Sequence, residues 1–165
     1  MNSLVYFVSG LLVLYIVWDL STRRFIDKYD SECLFGRKGC GKTSTLHMLR
    51  YKYRNDFSHF YSNADLVGCI KIDGRLIGEG WNFPEDSLFL CDEIGILFPS
   101  RDFKNFGLKR IEWFKLQRHH KVKVICCSQS YEDMDKAIRL LFDRLYISKK
   151  YLRVLTVSKE IVKKV

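Results

Sequence analysis

The stretch FGRKGCGKTS, residues 35–44, contains three glycines and three cations within ten positions. A short, mostly apolar run, Ser31–Phe35, comes directly before it and predicts a strand. Apolar side chains at helical spacing follow it and predict a helix over residues 42–54. The sequence therefore predicts a strand, a tight glycine-rich loop and a helix in immediate succession, and this unit decides the fold.

The spacing of this stretch fits G-x-x-x-x-G-K-[ST], the phosphate-binding P-loop. Glycines let the backbone curl so that successive N–H groups point inward, and the helix that follows adds its positive N-terminal end. We expect Lys42 on the β- and γ-phosphates and the Thr43 hydroxyl on Mg²⁺. The alternative is a basic surface loop. The predicted nucleotide-binding residues are Gly36, Arg37, Lys38, Gly39, Cys40, Gly41, Lys42, Thr43 and Ser44.

Two adjacent acids, Asp92 and Glu93, follow the apolar run SLFLC at residues 87–91. Such a run predicts a strand buried on both faces, and a doubly wound sheet binds its ligands at the carboxyl ends of its strands. Asp92 suits a role on Mg²⁺, and Glu93 suits a base that orients the attacking water. The alternative is a solvated turn.

A third polar side chain, Gln129, ends the strand-like run KVKVICCSQ at residues 121–129. In many NTPases a polar side chain senses the γ-phosphate from the tip of the strand between the P-loop strand and the acidic strand. The alternative is an exposed loop glutamine. The predicted catalytic residues are thus Lys42, Glu93 and Gln129.

Strand and helix patterns alternate along the chain, which predicts an α/β domain with a largely parallel sheet. The last two strand patterns predict an antiparallel hairpin with a turn near Lys149 and Lys150. Besides the first strand and helix, the predicted strands cover residues 59–64, 87–93 and 121–129, and the predicted helices cover 108–120 and 132–142.

The first eighteen residues carry no charged side chain. As a helix they would rise about 27 Å, close to the hydrocarbon thickness of a bilayer. The cations that follow, Arg23, Arg24 and Lys28, predict a cytoplasmic location for the rest of the chain. The alternatives are a secretory signal, a buried core helix and a membrane-surface helix. We expect a transmembrane anchor at residues 1–20, a juxtamembrane linker at 21–30 and a P-loop domain at 31–165.

The composition of the 165 residues suits one compact domain with a core. The formal charge of +9 favours an anionic partner such as nucleic acid, a nucleotide or a membrane surface. The six cysteines lack metal-ligand spacing and lie mostly in apolar runs, so we expect reduced, buried thiols.

The order of the polar motifs resembles the zonular occludens toxin (Zot) family, which includes the assembly and export ATPases of filamentous phages. The likeness covers most of residues 33–157, and Asn63 resembles an asparagine of the family's second strand. In chain order the motifs are Asp92–Glu93, Phe98-Pro99-Ser100-Arg101, Arg118-His119-His120, Ser128–Gln129, and Asp135 with Ile138–Arg139.

This resemblance implies a RecA-like, three-layer P-loop ATPase similar to the FtsK-HerA group of DNA-pumping motors. It implies ATP and Mg²⁺ as cofactors and a homo-oligomer at the inner membrane of the host cell, with a single span and a cytoplasmic ATPase domain. The implied work is phage export or movement of single-stranded DNA, with phage coat or export proteins as partners. The candidates for an arginine finger acting on a neighbouring subunit are chiefly Arg118 and Arg101, and also Arg139 and Arg144. The alternative for each is a surface or salt-bridging residue.

The layout departs from the filamentous-phage members, which commonly carry the ATPase first, then a span, then an outer domain. Here the apolar segment comes first, so we expect no outer gate-forming domain. Two other functions stay open: a non-catalytic nucleotide-binding scaffold that recruits virion or export proteins, and a nucleotide kinase, which the lack of an arginine-rich lid disfavours. The lack of N-K-x-D-like and L-S-G-G-Q-like elements disfavours a small GTPase and a transporter ATPase.

Overall fold

The computed structural model describes residues 10–14, 28–77, 81–97, 108–132, 136–151 and 155–161. Residues 10–14 are an exposed helical segment, and the other ranges form the α/β domain. Its strands are β1 (Ser31–Phe35), β2 (His59–Ser62), β3 (Ile70–Lys71), β4 (Ser87–Cys91), β5 (Val122–Ser128), β6 (Arg144–Tyr151) and β7 (Leu155–Ile161). Its α-helices are α1 (Lys42–Lys52), α2 (Ile94–Leu97), α3 (Leu108–Leu116) and α4 (Lys136–Leu141), and a 3₁₀ turn covers Gly74–Leu76.

The strands form one seven-stranded sheet in the order β3-β2-β4-β5-β1-β6-β7. Every neighbouring pair is parallel except β6 and β7, which are antiparallel. The predicted α/β class, with a mostly parallel sheet and a final antiparallel hairpin, is confirmed. Strand β5 lies between β1 and β4, so the ends of these three strands meet at the carboxyl end of the sheet.

Helices cover both faces of the sheet, which gives the predicted three layers. On one face Leu46 of α1 is fully buried against a cluster that includes Leu34, Leu88 and Ile125. On the other face Trp113 and Phe114 of α3 pack in a second cluster with strand residues such as Phe89, Val124 and Leu145. Strands β4 and β5 are buried at every position, as expected for central strands of a parallel sheet.

The predicted turn near Lys149 and Lys150 is wrong. The β6–β7 ladder continues through both lysines as far as the pair Tyr151 and Leu155. The connection falls at residues 152–154, which lie outside the described residues. Successive strand residues project to opposite faces, and the sheet ends in this exposed hairpin, so two adjacent lysines can stay in a strand there.

Short elements were also missed, because two to four residues carry no periodicity. Strand β3 and helix α2 fall in stretches that the sequence left unassigned. The predicted strand at residues 59–64 ends at Ser62, whose Oγ accepts a hydrogen bond from the Ala64 N–H (3.0 Å) and starts a turn.

In the part of the chain that the structure describes, no helix is both long enough and apolar enough to cross a bilayer. The predicted anchor at residues 1–20 lies outside the described residues apart from 10–14, and so does most of the predicted linker.

The six cysteines are free thiols, and all are buried except Cys69, which is half-buried. Burial raises the pKa of the Cys126 and Cys127 thiols, which keeps both neutral at physiological pH. They act as small apolar core residues, as the sequence predicted.

Candidate nucleotide-binding site

The loop after β1 requires glycine at two positions for steric reasons. Gly41 has φ +93°, and a Cβ there would lie 2.5 Å from Oγ1 of Thr156 in β7. A Cβ at Gly36 would lie 2.8 Å from the carbonyl oxygen of Ser148 in β6. The loop is therefore pressed against the β6–β7 hairpin, and a hydrogen bond from Thr156 Oγ1 to the Cys40 carbonyl (2.8 Å) fastens it there.

Lys42 opens helix α1 and turns its side chain back into the loop. Its Nζ donates to the carbonyls of Gly36 (2.6 Å) and Arg37 (3.4 Å), and the side chain is buried. The Cys40 N–H donates to the Arg37 carbonyl (3.2 Å) and closes the turn between them. The loop is thus curled around a buried ammonium group at the positive end of a helix, an arrangement that attracts phosphate.

Thr43 and Asp92, which come from different elements, meet beside the loop. Thr43 Oγ1 donates to Asp92 Oδ2 at 2.8 Å. A hydroxyl and a carboxylate are the hard oxygen donors that Mg²⁺ prefers, so these residues fit that ion. The contact joins the start of α1 to the carboxyl end of β4.

Glu93 and Gln129 also lie together at the ends of neighbouring strands. Glu93 Oε1 accepts hydrogen bonds from the Gln129 N–H and from Ser128 Oγ, both at 3.3 Å. Glu93 has φ +59°, a left-handed conformation that is uncommon for a residue with a side chain. This backbone bend directs the Glu93 carboxylate across the end of β5.

Asn63 has a role that the sequence did not reveal. Its Nδ2 donates to the Asp92 carbonyl (2.8 Å), and its Oδ1 accepts from the Asp92 N–H (2.7 Å). The amide thus fixes the peptide that carries both acids. The resemblance had marked Asn63 in the second strand, but it did not show this role, because the pairing of β2 with β4 cannot be read from the sequence.

These groups surround a cavity of about 480 Å³, which we call the phosphate pocket. Its lining brings together Lys38, Gly39, Gly41, Lys42, Thr43, Ser44, Asp92, Glu93 and Gln129. The other predicted loop residues, Gly36, Arg37 and Cys40, line a second, adjoining cavity of about 830 Å³. Lys150, which the sequence predicted only as part of a turn, lines both cavities.

The three arginine candidates that the structure describes all have partners in their own chain. Arg118 follows α3 at the amino end of the sheet and forms an ion pair with Asp143 (2.5 Å), and Arg144 at the start of β6 lies 3.2 Å from Asp30. Arg139 stacks on the Tyr131 ring and donates to its carbonyl (2.9 Å). Arg101 lies outside the described residues. The action of Arg118 or Arg101 on a neighbouring subunit stays a prediction.

Comparison with known proteins agrees with this architecture. The model of the ATPase family associated with various cellular activities (AAA) matches residues 32–149. The N-terminal domain of zonular occludens toxin from Neisseria meningitidis is similar, with a TM-score of 0.59 and 13% identity over 81% of this chain and 83% of that chain. The genome packaging NTPase of Sulfolobus turreted icosahedral virus 2, solved with ATP-gammaS, has a TM-score of 0.57 and 13% identity over 77% of each chain. No curated protein sequence matches.

The structural likeness confirms the resemblance to the Zot family at the level of the fold. The AAA match spans the P-loop, the acidic pair and strand β5, which Gln129 follows. This chain is therefore a P-loop ATPase that belongs to the ATPase family associated with various cellular activities.

Proposed function

We propose that this protein is a Mg²⁺-dependent, membrane-anchored ATP hydrolase of FtsK-HerA type that works as a homo-oligomer at the inner membrane. Its turnover would drive assembly and export of a filamentous phage or translocation of DNA. The observation that carries the proposal is the 2.8 Å contact of Thr43 with Asp92 beside the buried Lys42 ammonium, with Glu93 next to Gln129.

Each residue of the phosphate pocket has a distinct task in this proposal. Lys42 neutralises charge on the β- and γ-phosphates, and Thr43 and Asp92 would hold Mg²⁺. The bound ion would supply further neutralisation of the phosphate oxygens. Glu93 accepts a hydrogen bond from the attacking water, whose oxygen forms a bond to the γ-phosphorus as the bond from that phosphorus to the bridging oxygen breaks. ADP leaves with the electron pair of the broken bond, and Glu93 acts as the base that takes up the proton of the water. Gln129 contacts the γ-phosphate.

Attachment of the linker supports the proposed orientation at the membrane. Lys28 Nζ donates to Asp86 Oδ1 (2.5 Å), as does the Tyr29 hydroxyl (3.2 Å). The hydrogen bond from Lys28 is the main reason that the pKa of Asp86 lies below its usual value. Asp86 directly precedes β4, so the linker joins the domain at the amino end of the sheet. An anchor at residues 1–20 would therefore leave the phosphate pocket facing away from the bilayer.

Three observations support the proposed cargo. The chain carries a formal charge of +9. One structural neighbour is named as a genome packaging NTPase, and the other belongs to zonular occludens toxin. We therefore propose single-stranded DNA and phage coat or export proteins as partners.

Fractionation of cells that express the chain with and without residues 1–18 tests the anchor: the full chain should sediment with membranes and the shortened chain should not.

The decisive experiment measures ATP turnover by the full chain in detergent or vesicles, with and without single-stranded DNA. Glu93→Gln should bind ATP with unchanged affinity and lose about 100-fold or more in turnover, because a preorganised charge at the reacting centre contributes about that much. Glu112→Gln, the same change on the exposed part of α3, is the matched control and should turn over normally. Nucleotide binding without turnover in any oligomeric or DNA-bound form would instead support the scaffold function.

A further inference from the structure

Four cations beside the phosphate pocket have no partner among the described residues. Within the described ranges, the side chains of Arg37, Lys38, Lys149 and Lys150 form no ion pair or hydrogen bond. Four uncompensated positive charges around one loop repel each other. They therefore favour an anionic ligand beyond what Lys42 alone would bind.

Lys150 is the one of these four that comes from a distant element and still reaches the pocket. It pairs in the β6–β7 ladder with Thr156, and Thr156 is bonded to the P-loop at the Cys40 carbonyl. Strand β6 is also hydrogen-bonded to β1, where Ile147 pairs with Phe35. The backbone of Lys150 is thus held at a fixed distance from the loop, although its side chain is exposed.

The second cavity, which we call the hairpin pocket, has a different character from the phosphate pocket. Its volume is about 830 Å³, and its wall includes the apolar side chains of Phe35, Tyr131, Ile147 and Ile161. A pocket of this size and apolar lining suits the nucleoside of a nucleotide. The two pockets share Lys38, Gly39, Gln129 and Lys150, so a ligand that occupies both must pass these residues.

We propose that Lys150 is a second phosphate ligand, supplied by the β6–β7 hairpin, and that the nucleotide passes it with its phosphates in the phosphate pocket and its nucleoside in the hairpin pocket. The inference rests on the proposed function, because it concerns the same nucleotide. It makes the hairpin part of the nucleotide site, although no sequence motif marks it.

The test is titration of ATP and ADP into the full chain by calorimetry, with variants of the hairpin. Lys150→Ala should weaken both nucleotides about tenfold, because a charge-assisted contact with phosphate is lost. Lys150→Arg should stay within about threefold of the parent, because the charge and its reach are kept. Lys159→Ala removes the same charge from the same hairpin away from both pockets, and it should leave both affinities unchanged.

The remaining outcomes separate this inference from the proposed function. If Lys42→Ala abolishes binding while Lys150→Ala binds ATP within twofold of the parent, the role of Lys150 is wrong and the P-loop role stands. Equal losses of nucleotide affinity in Lys150→Ala and Lys159→Ala would also overturn the role of Lys150. They would indicate a long-range electrostatic effect of the positively charged hairpin and not a direct contact with phosphate. If the parent chain binds no ATP, or if Lys42→Ala binds it normally, the proposed function itself fails. A thermal melt of each variant shows whether it is folded. If Lys150→Ala is unfolded, the titration is repeated with Lys150→Gln.

Discussion

Two groups of cations, one at each end of the sheet, differ in whether they have acidic partners. At the amino end each of five cations has an acidic partner: Lys28 with Asp86, Arg118 with Asp143, Lys121 with Glu85, and Lys123 and Arg144 with Asp30. At the carboxyl end Arg37, Lys38, Lys149 and Lys150 have none among the described residues. Buried paired charges stabilise the fold, whereas unpaired ones around a cavity attract a ligand.

The group around Lys123 at the amino end shows that a buried cation depends on its acidic partners. Lys123 and Asp30 are both almost fully buried and in direct contact, and Lys123 also contacts Glu32 (2.8 Å). Burial lowers the pKa of Lys123, but the two carboxylates outweigh this effect, so the pKa lies above its usual value. The ammonium group therefore stays charged inside the protein only because its partners are present.

The largest expected effect comes from breaking this group. Lys123→Ala should lower the free energy of unfolding by about 3–5 kcal/mol, because it leaves the Asp30 carboxylate buried with an incomplete set of partners. Urea unfolding measures the loss. Lys121→Ala, which removes an exposed lysine paired with Glu85, is the control and should unfold like the parent. Equal stability of both variants would contradict the distinction between buried and exposed pairs.

An intermediate effect is expected at the opposite end, where Asn63 holds the peptide of Asp92. Asn63→Ala should lower stability by about 1–3 kcal/mol, because two backbone groups lose their partner. It should also reduce turnover about tenfold at saturating ATP, with little change in ATP affinity, since Asn63 acts through the acids. Asn63→Asp keeps the acceptor for the Asp92 N–H and should show a smaller loss. A change confined to ATP affinity would count against a positioning role.

The smallest expected effect concerns Asp143 and pH. Burial raises the pKa of this carboxyl, but hydrogen bonds from Arg118 and Ser31 outweigh burial and hold the pKa below its usual value. A group with a lowered pKa in the folded state stabilises the protein above its unfolded pKa and loses this contribution as pH falls through the folded pKa. Asp143→Asn should therefore cost about 1–2 kcal/mol at pH 7, and the difference from the parent should shrink below about pH 4.

Thermal melts of both proteins from pH 7 to pH 3 measure this convergence. If the difference in stability between the parent and Asp143→Asn stays constant down to pH 3, the charge of Asp143 contributes nothing to stability, and only the size and shape of the side chain matter.

The amino-acid sequence alone predicted the site residues whose positions depend on short-range geometry. The glycine spacing of the P-loop is set by backbone sterics over a few residues, and the acids and Gln129 are marked by the buried runs before them. Alternation of strand and helix patterns was enough for the α/β class. The sequence patterns that predict strands were clearest in the central strands, where every side chain is buried. They were weakest in the edge hairpin, where the adjacent polar residues Lys149 and Lys150 led to the prediction of a turn.

Only the tertiary structure decided which distant residues join the site and which charges are paired. Asn63 meets Asp92 across 29 residues, and Thr156 meets Cys40 across 116. These contacts follow from the strand order β3-β2-β4-β5-β1-β6-β7, which brings segments together without regard to their separation in the chain. The physical reason is that local sequence governs backbone conformation, whereas the order of the strands is selected by burial of the whole core. The partner of a charged side chain can therefore be identified only when the order of the strands is known.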